Sequence, residues 1–172
     1  MMRVGTGYDI HATTTGRPLM LGCVHFTDAK VGLAGHSDAD VVSHAICDAL
    51  LGAAAMGDIG IVFPDTDAEW KDAAGSLFLQ HVAAQLRGAG YAIVNVDCTV
   101  LCDVVRLGDR MRAMKDAIAV ALGIETTQVN VKATTCEGTG SIGRGEAIAC
   151  EAIAMIERDA PGKLGAWQES AL

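Results

Sequence analysis

The segment Arg3-Val-Gly-Thr-Gly-Tyr-Asp9-Ile-His11 reads as a β-strand with glycines at positions 5 and 7, where a backbone or a ligand comes close. Side chains alternate across a strand, so Asp9 and His11 share one face. Working outward, Thr14-Thr15-Gly16 signals a turn and Leu19-Met-Leu21 a short return strand. Ser37 or Asp38 can cap a helix that runs to about Met56, with Gly57 as its stop. In that helix Val42, Ile46, Ala49, Leu50 and Ala53 fall on one face. Asp40, His44 and Asp48 follow at i, i+4 and i+8 on roughly the opposite face. The helix therefore buries one side and turns an acid-imidazole-acid row toward something else.

The rest of the chain repeats the alternation of strands and helices. Residues 58–75 hold Pro, Gly and five acids without periodicity and read as a loop. Helical patterns cover 76–87 and 107–122, the second ended by Gly123. Strand patterns cover 92–102, 129–136 and 148–156. Strands alternating with helices predict an α/β sandwich, one sheet with helices on a face. Residues 1–158 read as a single domain, and 159–172 as a flexible C-terminal tail.

Composition narrows the class. Apolar residues make up 51% of the 172 and mean hydropathy is +0.31, high for a small chain with limited interior, which predicts apolar surface buried between subunits of a homo-oligomer. The net charge of −8, with no basic stripe, argues against nucleic acid as a partner. The six cysteines form no C-x-x-C pair, no signal-peptide pattern opens the chain, and no run of 18 apolar residues predicts a membrane span. These features predict reduced cysteines in a cytoplasmic protein.

Several motifs carry chemistry. Asp9, His11 and His44 supply one carboxylate and two imidazoles, a common three-ligand set for a catalytic zinc with its fourth position open. His36-Ser37-Asp38 sits at the mouth of the helix, where free amides and the helix dipole favour a phosphate, and His36 can add a hydrogen bond. Asp48, Asp58 and Asp65 are acceptors for substrate hydroxyls, bases or further metal ligands. Lys132-Ala-Thr134-Thr135-Cys136-Glu137 ends a strand with two hydroxyls for phosphate and a carboxylate for magnesium. Gly143-Arg144-Gly145-Glu146 places a guanidinium on a turn suited to a diphosphate. Neither a Walker loop nor a Rossmann fingerprint is present.

These motifs stand in one order: Gly-x-Gly-Tyr-Asp9-x-His11, Gly35-His36-Ser37-Asp38-Ala-Asp40, Asp48-Ala-Leu-Leu-Gly, Gly57-Asp58-Ile59-Gly60, Phe63-Pro-Asp65-Thr66-Asp67, Asn130-Val-Lys132-Ala-Thr-Thr and Gly143-Arg144-Gly145-Glu146. Together, over residues 3–157, they resemble the 2-C-methyl-D-erythritol 2,4-cyclodiphosphate synthase family of the non-mevalonate isoprenoid pathway. The resemblance implies conversion of 4-diphosphocytidyl-2-C-methyl-D-erythritol 2-phosphate to the cyclic diphosphate with loss of CMP. It implies zinc on Asp9, His11 and His44, magnesium or manganese on Glu137, and His36 and Thr135 as catalytic transition-state stabilisers. Substrate contacts are implied at Ser37, Asp48, Asp58, Ile59, Gly60, Phe63, Asp65, Thr66 and Asp67. Cys102, Arg106, Lys132, Thr134, Cys136 and Glu137 are implied on the cytidine and phosphate side. Arg144 would meet an isoprenoid diphosphate in a central cavity. The implied fold is a mixed four-stranded sheet with helices on one face, of chorismate-mutase-like topology, in a homotrimer with active sites between subunits.

The chain departs from the family at Cys102-Asp103-Val-Val-Arg106, where many relatives carry Ala-Gln-x-Pro-Lys. It also departs at Cys136, often Thr, and at Ser141-Ile142, where an aromatic is usual. These departures motivate two alternatives. One is another metal-dependent phosphoester enzyme on this scaffold. The other is a non-catalytic trimeric isoprenoid-diphosphate-binding protein.

Overall fold

The structure, a computed structural model, describes residues 1–158, so the tail expected at 159–172 lies outside the described residues. The opening segment forms β1 (Met2–Thr14). A two-stranded hairpin follows, β2 (Met20–Leu21) with β3 (Val24–His25), then the short β4 (Gly32–Leu33). The helices are α1 (Val41–Ala54), α2 (Ile59–Val62), α3 (Gly75–Gly88), α4 (Arg110–Leu122) and α5 (Gly140–Gly143). The remaining strands are β5 (Tyr91–Leu101), β6 (Val129–Thr134) and β7 (Ala147–Arg158).

The main sheet runs β4-β1-β7-β5-β6. β5 and β6 are parallel and the other pairs antiparallel, so the sheet is mixed as expected. It has five strands among the described residues rather than four, because Gly32 and Leu33 pair with Thr14 and Thr13 at the edge. A two-residue strand leaves too little pattern for a sequence reading to find.

The helices cover one face: α1 lies over β1 and β7, α3 over β5 and α4 over β6. Val96, Cys98, Val100, Cys150, Ala152, Ala154 and Ile156 point into that core. The opposite face leaves Val4, Tyr8, Ile10 and Ile153 exposed. Contact between α1 and β1 is made by backbone. A Cβ on Gly5 would lie 2.1 Å from the Ala49 carbonyl oxygen, and one on Gly7 2.0 Å from that of Ala45. Only glycine at both positions lets the helix rest directly on the strand.

Element ends differ from expectation in instructive ways. The cap of α1 is Asp40, not Ser37 or Asp38. Its fully buried carboxylate accepts the amides of Val42 and Ser43, those of Gly22 and Cys23, and the Ser43 hydroxyl. Ser37 instead accepts from the Ala39 amide, and Asp38 from the amides of Asp40 and Gly75. At the other end Ala55, left-handed at φ 58°, terminates α1 before Gly57. Helix α4 begins three residues later than expected, because Leu107 and Gly108 turn the chain into it. The expected loop 58–75 contains α2 and a single 3-10 turn at Ala68–Trp70 capped by Asp67.

Candidate metal and phosphate site

Strand β1 presents Asp9 and His11 on the face under α1, and α1 brings His44 down to them. Asp9 Oδ2 lies 2.9 Å from His11 Nε2 and 3.1 Å from His44 Nδ1, and the two ring nitrogens are 3.2 Å apart. Tetrahedral zinc with bonds of about 2.0–2.1 Å sets its ligands about 3.3 Å from one another. Three electron-rich atoms facing one point at nearly that spacing fit a divalent cation. Each ligand is also braced from behind. His11 Nδ1 donates to the Ala34 carbonyl at 2.6 Å, which leaves Nε2 for the metal. His44 Nε2 lies 3.2 Å from Ser37 Oγ, and Asp9 Oδ1 accepts the Ile10 amide at 2.9 Å. Such outer partners fix the tautomer and aim of a ligand. Burial would raise the Asp9 carboxyl, but hydrogen bonds from His11 and His44 outweigh it and hold the group well below the usual range. Burial would lower His11, but its bonds to Asp9 and Ala34 raise it.

The triad opens into a cleft of about 240 Å³. His11, His36, Ser37 and His44 line it together with Ile59, Gly60, Phe63 and Asp65. Trp70 and Phe78 complete the wall and were missed by the sequence reading. Their rings form one aromatic cluster: Phe63 meets Trp70 edge to face at 4.9 Å and Phe78 at a tilt at 4.7 Å, and Phe78 meets His44 at 5.6 Å. With aromatics at only 4% of the chain, two of them following the Phe63–Asp67 motif were the available signal. The loop bearing His36 is tied down as well. Arg17 donates to the carbonyls of Gly35 and Ser37, and the Asp72 amide donates to the His36 carbonyl at 3.0 Å.

One sequence reading changes here. The amides at the mouth of α1 are not a free phosphate seat, because the Asp40 carboxylate holds those of Val42 and Ser43. Asp48 and Asp58 are not in the cleft wall. Asp48 accepts the Ile59 amide at 2.7 Å and Asp58 the Ile61 amide at 3.0 Å. Burial first, and then the Asp58 charge, raise the Asp48 carboxyl. Thr66 and Asp67 also stand outside the wall, with Asp67 holding the Glu69 amide.

The other candidates gather elsewhere. Cys102, Arg106, Thr134 and Thr135 line a second cleft of about 310 Å³ between the 102–108 loop and the end of β6. Beside it the Asp103 carboxylate accepts the Cys136 amide at 2.7 Å. Thr135 Oγ1 donates to Glu137 Oε1 at 2.8 Å, and Glu137 is left-handed at φ 51°. Lys132 pairs with Asp97 on the neighbouring strand, and Arg144 makes a two-pronged pair with Glu146 at 2.8 and 3.0 Å. Ile10, Ala149, Leu101 and Thr134 form one row across β1, β7, β5 and β6. Three strand spacings put the two clefts about 14 Å apart in one chain.

The model of the YgbB family matches residues 2–157. A 2-C-methyl-D-erythritol 2,4-cyclodiphosphate synthase of Desulfosudis oleivorans is 52% identical over 155 residues, covering 90% of this chain and 92% of the relative. Among solved structures, IspF of Plasmodium falciparum in its CDP complex superposes with a TM-score of 0.81 at 31% identity, covering 92% of this chain and 97% of that one. The bifunctional IspDF of Campylobacter jejuni gives 0.88 at 37% identity, and there the match spans 92% of this chain but 43% of the larger one. No helix among the described residues is long and apolar enough to cross a membrane.

Proposed function

This chain belongs to the YgbB family, and from that membership we propose that it converts 4-diphosphocytidyl-2-C-methyl-D-erythritol 2-phosphate to 2-C-methyl-D-erythritol 2,4-cyclodiphosphate and CMP. An oxygen of the 2-phosphate attacks the β-phosphorus. The bond from that phosphorus to the oxygen bridging it to the α-phosphate breaks, and CMP leaves with the electron pair. Such a transfer needs positioning and charge neutralisation more than a protein nucleophile. The observation that carries the reading is the convergence of Asp9, His11 and His44 on one point of the cleft, in a chain half identical to enzymes of that name.

The site fits zinc, which when bound supplies positive charge to the β-phosphate. Asp9, His11 and His44 would hold it, with Ala34 and Ser37 fixing the two rings. His36, exposed at the cleft, donates to a phosphate oxygen. Ile59, Gly60, Phe63 and Asp65 seat the erythritol. Thr135 and Glu137 belong to the cytidine side, where Glu137 would hold magnesium or manganese.

The two halves, about 14 Å apart, cannot grip adjacent phosphates from one chain. A homotrimer, joined through the exposed apolar sheet face of Val4, Tyr8, Ile10 and Ile153, brings the metal cleft of one subunit against the nucleotide cleft of the next. Its axis would offer a cavity where Arg144, released from Glu146, could meet an isoprenoid diphosphate. Six free cysteines accord with a reducing cytoplasm.

Mass spectrometry of products from the cytidyl substrate tests the activity. CMP with a cyclic diphosphate is expected, and inorganic phosphate would overturn it. Light scattering tests the assembly, for which a monomer is the refuting result.

A further inference from the structure

We propose that Asp48 is a positioning residue whose carboxylate sets the distance between the Ile59–Gly60 backbone and the metal centre. The inference rests on the function proposed above and deepens it, by naming what seats the polyol end of the substrate. Asp48 stands four residues after His44, one turn along α1 and on the same edge. Its Oδ1 accepts the Ile59 amide at 2.7 Å, and it is half-buried outside the cleft wall. Ile59 and Gly60 are in that wall, together with His11 and His44.

Helix α2 has four residues, too few to persist by their own hydrogen bonds. Asp58 holds the Ile61 amide, and Asp48 holds the Ile59 amide from a different element. Asp48 is thus the side chain that ties this turn to the rod carrying a metal ligand. Gly7 makes the reach possible, since a Cβ there would lie 2.9 Å from the Asp48 Cβ.

The test compares Asp48→Ala and Asp48→Asn in the zinc-loaded full chain. Asp48→Ala should raise KM for the cytidyl substrate about ten- to hundredfold, the loss of one hydrogen bond to a charged group. Its kcat should change far less, its zinc content should be unchanged, and hydrogen exchange at the Ile59 amide should be faster. The Asn side-chain oxygen can accept the same amide, so Asp48→Asn should recover most of the KM. If Asn is as impaired as Ala while Ile59 exchange stays slow, the charge acts on substrate directly and the proposal fails. It fails equally if Ala leaves KM and Ile59 exchange unchanged. A wild type that makes no cyclic product would break the functional reading instead, while the exchange measurement still decides the anchoring.

Discussion

The cleft at Asp9, His11 and His44 is made of partly buried side chains that hold one another, while the cleft at Cys102–Gly108 and Thr134–Thr135 sets buried Cys102 and Leu107 beside exposed Arg106, Thr134 and Thr135. In the first, every ligand atom has a partner behind it from the same chain. In the second, Thr135 and Glu137 are fully on the surface and engage chiefly each other. The difference separates a centre whose ligands and braces all come from this chain from a cleft whose polar groups are left open. It also predicts that damage to the two regions will separate in the laboratory.

The largest effect is expected from His44→Ala. It should lose zinc by elemental analysis and fall to background in CMP release; a variant that keeps both would remove the metal cleft from the mechanism. Next, Glu137→Gln should keep its zinc, lose about 10²–10³ in rate, by analogy with the removal of one charge-stabilising group, and respond weakly to added magnesium. An unaltered magnesium titration would erase the distinction between the clefts. Ser37→Ala removes the support of His44 together with the acceptor of the Ala39 amide. It should weaken zinc about 10–100-fold in a chelator competition and leave the magnesium titration alone.

The smallest effect is on stability without metal. Hydrogen bonds from His11 and His44 hold Asp9 low against the opposing pull of burial. Its contribution is therefore present above the ordinary aspartate value of about 3.9 and fades as pH falls through the depressed one. His11 is raised by Asp9 and Ala34, again against burial. Its contribution is full below about 6.5 and is lost as pH rises through the raised value. Metal-free wild type should exceed Asp9→Asn in melting temperature most clearly between roughly pH 4 and 6.5. A difference that stays flat with pH would show that the pair is not coupled.

The same contrast explains what was legible in the sequence. Asp9 and His11 follow from strand alternation and His44 from helical spacing, so local periodicity was enough to find the triad. The cap of α1 was not readable, because Ser37, Asp38 and Asp40 are all competent caps. The choice depends on left-handed Ala39 and on the amides of Gly22 and Cys23, eighteen and seventeen residues before Asp40. Helix α2 was hidden for a similar reason: a side chain eleven residues upstream holds its first amide. At the second cleft the hydroxyls of Thr134 and Thr135 and the nearby Glu137 carboxylate were legible at the end of a strand, whereas the roles of Cys102 and Arg106 came from resemblance to a family. Asp103 shows the limit of that route. It replaces a common glutamine, and only the structure shows its carboxylate on the Cys136 amide.

Where peptide meets peptide at Gly5 and Gly7, the molecule has a dimension with no adjustable part. Elsewhere in the core an added methyl can be absorbed when a neighbour changes rotamer. Here it would act as a shim, lifting α1 as a rigid body and carrying His44 away from Asp9 and Asp48 away from Ile59 in one movement. The accuracy of the metal centre is therefore inherited from two residues that have no side chain. A lesion at either would look like a chemical defect in a protein whose every ligand is intact.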